Sequence, residues 1–196
     1  MYPSRPVHFQ QEVYNGKDSV HALKFQTLML ADGIIAHVSG PWSGRRHDTH
    51  IFNSSQLPAA LGALPRMPVA EGGELMAVYA DPGYALSARL FMPYPDGRHD
   101  ALHSAFNQSM SSNRISVEWG YGRTRQLWQA LNFSTNLQIF KSPIAAMYFS
   151  AVLLTNAVTC IEGGNIVSDY FGCPPPSLRA LFGTLKHANP VLPAPR

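Results

Sequence analysis

Twenty consecutive residues without a charged side chain, Ser142–Ile161 between Lys141 and Glu162, set the tightest constraint on how this chain folds. At the rise of an α-helix the run is long enough to cross a bilayer. It also carries Ser150, Thr155, Asn156 and Thr159, with Pro143 at its start. Polar groups at that density need partners, which a protein interior supplies and lipid does not. The expectation is a buried helix over about Pro143–Ile161, and no membrane partner.

A buried helix requires a core around it, and the composition supplies one. The chain has 196 residues, 45% of them hydrophobic and 14% charged, against about a quarter charged in an ordinary domain. That balance excludes a mainly disordered chain. The net charge is +3, from 15 Lys and Arg against 12 Asp and Glu, and only Lys17, Lys24, Lys141 and Lys186 are lysines. A mild, arginine-based excess is compatible with a polyanionic partner. Cys160 and Cys173 form neither a CxxC pair nor a disulfide framework, which suits a reducing compartment. The first residues, Met1-Tyr-Pro-Ser-Arg-Pro, contain no apolar run of a signal peptide.

Patterning predicts a mixed α/β chain. His21–Leu30 and Ile34–Val38 read as two strands joined at Asp32-Gly33, a hairpin signal. Asp48–Leu61 reads as a helix interrupted or ended near Pro58. Leu75–Ala80 is wholly apolar, as for a strand buried on both faces, and ends at Asp81-Pro82-Gly83. A short strand near Leu90–Met92 precedes a helical pattern from Ala101 to about Leu131, weakened at Gly120 and Gly122. Beyond the uncharged run the chain is rich in proline.

Phosphate-binding GxxxxGK[ST], HExxH, GxSxG and zinc-ribbon patterns are absent. His47 and His50 share a helix face at i, i+3, but no further ligand has a recognisable spacing. Asp48 beside them reads as a helix cap or as an acid in a site. Asp81 lies just past a strand end, where ligands gather in open α/β sheets, and equally suits the turn ahead of Pro82 and Gly83. Glu118, 37 positions later, either pairs with Arg114 at i−4 on a solvated helix or turns inward towards Asp81.

Taken in order, these segments resemble the Harbinger-type DDE transposases and their domesticated nuclease relatives. The resemblance is carried by Tyr14-Asn-Gly-Lys, His21–Gln26, Asp32-Gly33, Gly44-Arg-Arg-His-Asp48, Tyr79-Ala-Asp81-Pro-Gly-Tyr84, Phe106-Asn107, Arg114, Val117-Glu118-Trp-Gly120 and Leu153-Leu-Thr-Asn156. It implies a ribonuclease H-like α/β fold and a catalytic Asp, Asp, Glu set holding two Mg²⁺ or Mn²⁺ ions for cleavage of DNA phosphodiesters. The family's second aspartate falls on Asp81 and its glutamate on Glu118, making these two the expected catalytic and metal-binding residues, with Asp48 a possible neighbour. Arg45, Arg46, Arg114, Arg123 and Arg125 are candidate phosphate contacts.

The family's first aspartate belongs to an Asp-Gly-Thr-like motif on a central first strand, ahead of the block that begins at Tyr14. Residues 1–13 contain no aspartate, and Glu12 is their one acid. The expectation is thus an N-terminal remnant over 1–13, a truncated nuclease domain over 14–162 lacking its central strand, and a Pro-rich tail over 163–196. A carboxylate bridging two cations offsets their repulsion, and without it turnover is not expected. The alternative is a non-enzymatic remnant of a domesticated transposase that binds nucleic acid or protein. By resemblance the setting is nuclear, with DNA as partner and a DNA-binding protein as a second.

If the arginines around Gly44–His47 and Glu118–Arg125 line a groove, duplex DNA binds with an affinity that falls steeply with salt, because released counterions drive association. Titration of a fluorescent duplex at rising ionic strength checks this, and a flat response removes DNA from the reading.

Overall fold

The computed structural model of the protein describes residues 13–15, 20–65, 74–95, 100–132, 137 and 141–187. Its strands are β1 (Tyr14–Asn15), β2 (Val20–His21), β3 (Leu23–Met29), β4 (Ile35–Ser43), β5 (Val78–Tyr79) and β6 (Leu90–Phe91). Its α-helices are α1 (Asp48–Ser54), α2 (Leu57–Ala63), α3 (Ala101–Leu127), α4 (Ile144–Glu162), α5 (Ile166–Phe171) and α6 (Leu178–His187). The mixed α/β expectation holds.

The hairpin forms, with β4 running past the expected Val38 to Ser43. β3 and β4 run antiparallel, and the turn between them closes with Leu30 N–H donating to the Ile34 carbonyl at 2.9 Å. Gly33 takes φ +80°, a conformation that disfavours a side chain, and the Asp32 carboxylate accepts from Ile34 N–H at 3.0 Å.

The uncharged run becomes α4. Ile144, Tyr148, Ala151, Val152, Thr155, Asn156 and Thr159 form its buried face, the i, i+4, i+7 spacing of one helix side. Ile35, Leu131, Tyr148, Ala151 and Val152 make the core, with Phe25, Met29, Val38, Trp128 and Met147 packed against it. By length and composition α4 could cross a membrane; here one of its faces is packed on the hairpin, and its polar residues serve that packing. Asn156 donates to the Ile35 carbonyl at 2.9 Å and accepts from Ile35 N–H at 3.0 Å. Thr155 accepts from the Trp128 indole at 2.9 Å.

Several local expectations change in detail. The interruption expected near Pro58 falls at Ser55–Gln56, and Pro58 itself occupies the first turn of α2, where its missing N–H costs nothing. The strand expected over Leu75–Ala80 shrinks to Val78–Tyr79, and of those six residues only Ala80 is buried. Among the described residues it pairs with β6, and no second strand pairs with it. The helix expected to reach Leu131 ends at Leu127 and gives way to a 3₁₀ turn over Gln129–Leu131. Gly120 lies within the continuous α3 and is buried, with the Met29 methyl end in the space a Cβ would take. The stretch from Gly163, expected as a Pro-rich tail, carries α5 and α6, with Trp119 edge-on to Tyr170 at 5.2 Å.

Asn156→Ala removes both partners of the Ile35 peptide groups and leaves them buried. At about 1–3 kcal/mol for each orphaned group, an unfolding stability lower by about 2–4 kcal/mol is expected in denaturant titration. Leu153→Ala on the exposed face of α4 serves as the comparison, with a much smaller change.

Candidate active site

The acids singled out in the sequence come together around one cavity of about 670 Å³. β3 forms one wall, the segment Val78–Asp81 another, and α3 and the start of α1 close the sides. Asp81 opens a tight turn in which Tyr84 N–H donates to the Asp81 carbonyl at 3.1 Å. The turn is pinned to α1 by Thr49, whose hydroxyl donates to the Gly83 carbonyl at 2.9 Å. A Cβ at Gly83 would lie 2.8 Å from Asp48 Oδ2, so the Asp48 carboxylate sits against the turn that carries Asp81.

α3 presents Arg114, Val117, Glu118, Tyr121 and Arg125 to the cavity, spacings of three and four that lie on one helix face. Glu118 is exposed at its rim. Arg114 pairs with Asp81 and not with Glu118. Lys24 of β3 pairs with Asp48 at 3.2 Å and also donates to the Arg46 carbonyl at 2.9 Å. Asp48 does not cap α1: His47 holds the N-cap position, and Asp48 is the acid of the first turn.

Of the other candidates, Arg125 lines the cavity with its Nε donating to Asn132 at 2.9 Å. Arg123 pairs with Glu162. Arg45 and Arg46 are exposed in the turn after β4. His47 and His50 are exposed, the latter edge-on to Trp42 at 6.4 Å. Among the described residues, no three His, Cys, Asp or Glu side chains stand together as a metal site would require.

Sequence reasoning missed the polar lining of the cavity floor. Gln26 donates to the Tyr84 hydroxyl at 3.3 Å, and Thr27 shares a hydrogen bond of 2.6 Å with the Tyr121 hydroxyl. Tyr121 was legible in principle, three residues beyond Glu118 and on its helix face. Gln26 was not, because a glutamine in a strand gives no sign of which groups it will meet. Burial raises the pKa of Tyr84 and Tyr121 above the usual value, with nearby Asp48 and Asp81 carboxylates adding to the effect at Tyr84 and Asp81 at Tyr121.

A family model described as DDE superfamily endonuclease matches residues 3–156. No curated protein and no solved structure matches the chain.

The raised tyrosine pKa values have a consequence for alkaline stability. The unfolded chain releases these protons near pH 10.0 and the folded chain only above it. Their contribution is therefore complete below pH 10.0 and is lost as pH rises through the folded values. The denaturation midpoint is expected to fall above that point, and the fall to be shallower in Tyr121→Phe, as measured by denaturant titration across the alkaline range.

Proposed function

The chain belongs to the DDE superfamily endonucleases, and from this we propose that it is the nuclease-fold part of a Harbinger-type transposase or of a nuclear host protein derived from one. It engages DNA, and the residues present do not cleave it. The observation that carries this reading is the meeting of Asp81, Glu118 and Asp48 around one cavity, on a strand end, a helix and a helix start far apart in sequence. Asp81 and Glu118 are, in this reading, the second and third carboxylates of the family's site.

Members of the family typically depend on divalent metal, and the donor set of this chain falls short of a two-ion site. Two cations held roughly 3.5–4 Å apart need bridging carboxylate charge between them. Asp81 is already engaged by the Arg114 guanidinium, and the described residues offer no cluster of three ligands. Residues 1–13 add one acid, Glu12, outside any Asp-Gly-Thr context. Asp81 and Glu118 would hold one Mg²⁺ or Mn²⁺ weakly, since Mg²⁺ bound through one or two carboxylates keeps most of its waters. The second reading, a non-enzymatic nucleic-acid- or protein-binding remnant, draws on the same Arg114–Asp81 pair.

The ribonuclease H-like arrangement is part of the proposal. It requires a central strand between the hairpin and β5, and among the described residues no strand joins these two.

Two measurements test this. Calorimetric titration with Mn²⁺ is expected to give at most one weak site, abolished by Asp81→Ala and by Glu118→Ala. Supercoiled plasmid incubated with the 196-residue chain and Mn²⁺ is expected to remain intact, and nicking that Asp81→Ala eliminates overturns the assignment of an inactive site.

A further inference from the structure

The side of α4 that faces away from the hairpin is as free of charge as the side that is buried. Ala146, Phe149, Ser150, Leu153, Leu154 and Ile161 are exposed, at the i, i+3, i+4, i+7 spacing of one helix side. β4, α3 and α6 all pack on α4 and leave these six uncovered. The outward side of a surface helix ordinarily carries charged residues, and here none stands between Lys141 and Glu162. Phe149, Leu153, Leu154 and Ile161 are 38%, 40%, 46% and 69% exposed. At roughly 200 Å² for a large apolar side chain, about 400 Å² of apolar surface lies open along this stripe, a patch of the size that marks interaction sites.

From this geometry we infer that the stripe pairs two copies of the chain, α4 against α4 and antiparallel, about a two-fold axis between Leu153 and Leu154. A surface without charge takes another without charge, and the same stripe on a second copy is one. Two-fold reversal about that point sets Leu153 against Leu154, Ser150 against Ala157 and Ala146 against Ile161. Small residues then meet near the centre, which lets the axes approach to about 8–10 Å at a shallow crossing angle. Towards the ends small meets large. The same reversal brings Lys141, just ahead of one helix, close to Glu162 at the end of the other. Opposite charges are thereby matched, where parallel pairing would set like against like. Glu162 pairs with Arg123 within its own chain and stays half-exposed, so its carboxylate is open to a second cation. Specific interfaces are about 60% apolar, so an apolar stripe of about 400 Å² implies roughly 650 Å² buried per copy, the low end for a specific complex. The dimer is therefore reversible, with a Kd of micromolar order.

Sedimentation equilibrium of the 196-residue chain is expected to show monomer and dimer in exchange, with dimer prevailing at roughly 100 µM, well above a micromolar Kd. Leu154→Glu puts two carboxylates at the axis and is expected to raise Kd about a hundredfold or more. Its far-UV circular dichroism is expected to be unchanged, because Leu154 is exposed in the single chain. For orientation, Ala146→Cys and Ile161→Cys are made in separate chains in which Cys160→Ser and Cys173→Ser remove the native thiols. A short bismaleimide is expected to link these two chains to each other when mixed, and neither to itself. A chain that stays monomeric at that concentration overturns the inference, as does a dimer that Leu154→Glu leaves unchanged. Linking of the Ala146→Cys chain to itself, the mark of parallel pairing, overturns it too. So does binding to phosphatidylcholine vesicles that Leu154→Glu abolishes, which would assign the stripe to lipid. None of these readouts involves DNA or metal, so a failed dimer and a failed nuclease reading are told apart.

Discussion

A two-stranded hairpin is marginal on its own, because half of its peptide groups face outward without a partner. The structure depends on how one of those edges is finished. Ile35 turns its N–H and C=O away from β3, and the Asn156 amide meets both, acting as a single residue of a third strand. Next to it the Asn165 amide donates to the Gly33 carbonyl at 3.0 Å while its carbonyl oxygen caps the start of α5. One asparagine within α4 and one at the N-cap of α5 thus meet the start of β4 and the turn before it, and the uncharged α4 is fixed in rotation against the hairpin.

That fixation places the rest. With Asn156 held at Ile35, α4 turns Tyr148 onto Phe25, the ring centroids 4.3 Å apart, and seats Thr155 under the Trp128 indole at the end of α3. At its middle α3 rests on β3 through Gly120 and Met29. A helix held at both points has one face left to aim at the cavity, and on that face stand Arg114, Glu118 and Tyr121. The position of the acidic site is a consequence of hairpin, amide latch and helix seat, in that order.

Much of this was legible in the residues. The Asp32-Gly33 turn, the core helix and the long α3 follow from local pattern, because each depends on contacts near in sequence. Asp81 and Glu118 were legible only together with the ordered series of motifs, since neither spacing nor neighbours distinguish them from a turn residue and a surface glutamate. The length of β5 was not legible. An apolar run predicts burial on both faces only if two layers cover it, and Met76 and Tyr79 remain exposed, Tyr79 edge-on to Phe106 at 6.4 Å. The Arg114 partner was misassigned for a related reason: the i−4 rule weighs only helix neighbours, while the turn at Asp81 brings in a carboxylate 33 residues distant.

The two edges of the hairpin have opposite fates, and the difference locates chemistry. The β4 edge is met at its start, Ile35, by the buried Asn156 amide. The β3 edge opens on a cavity in which three cations and three carboxylates are held, two of those cations paired to Asp48 and Asp81. Such pairing is what a partly enclosed acidic site requires when no other positive charge is present, because clustered carboxylates repel one another unless a cation stands between them. Lys24 and Arg114 occupy the positions where external positive charge would act, and any cation entering the cavity must compete with them for the same oxygens. The ion pairs that steady the present arrangement are therefore the same pairs that an entering cation would have to displace.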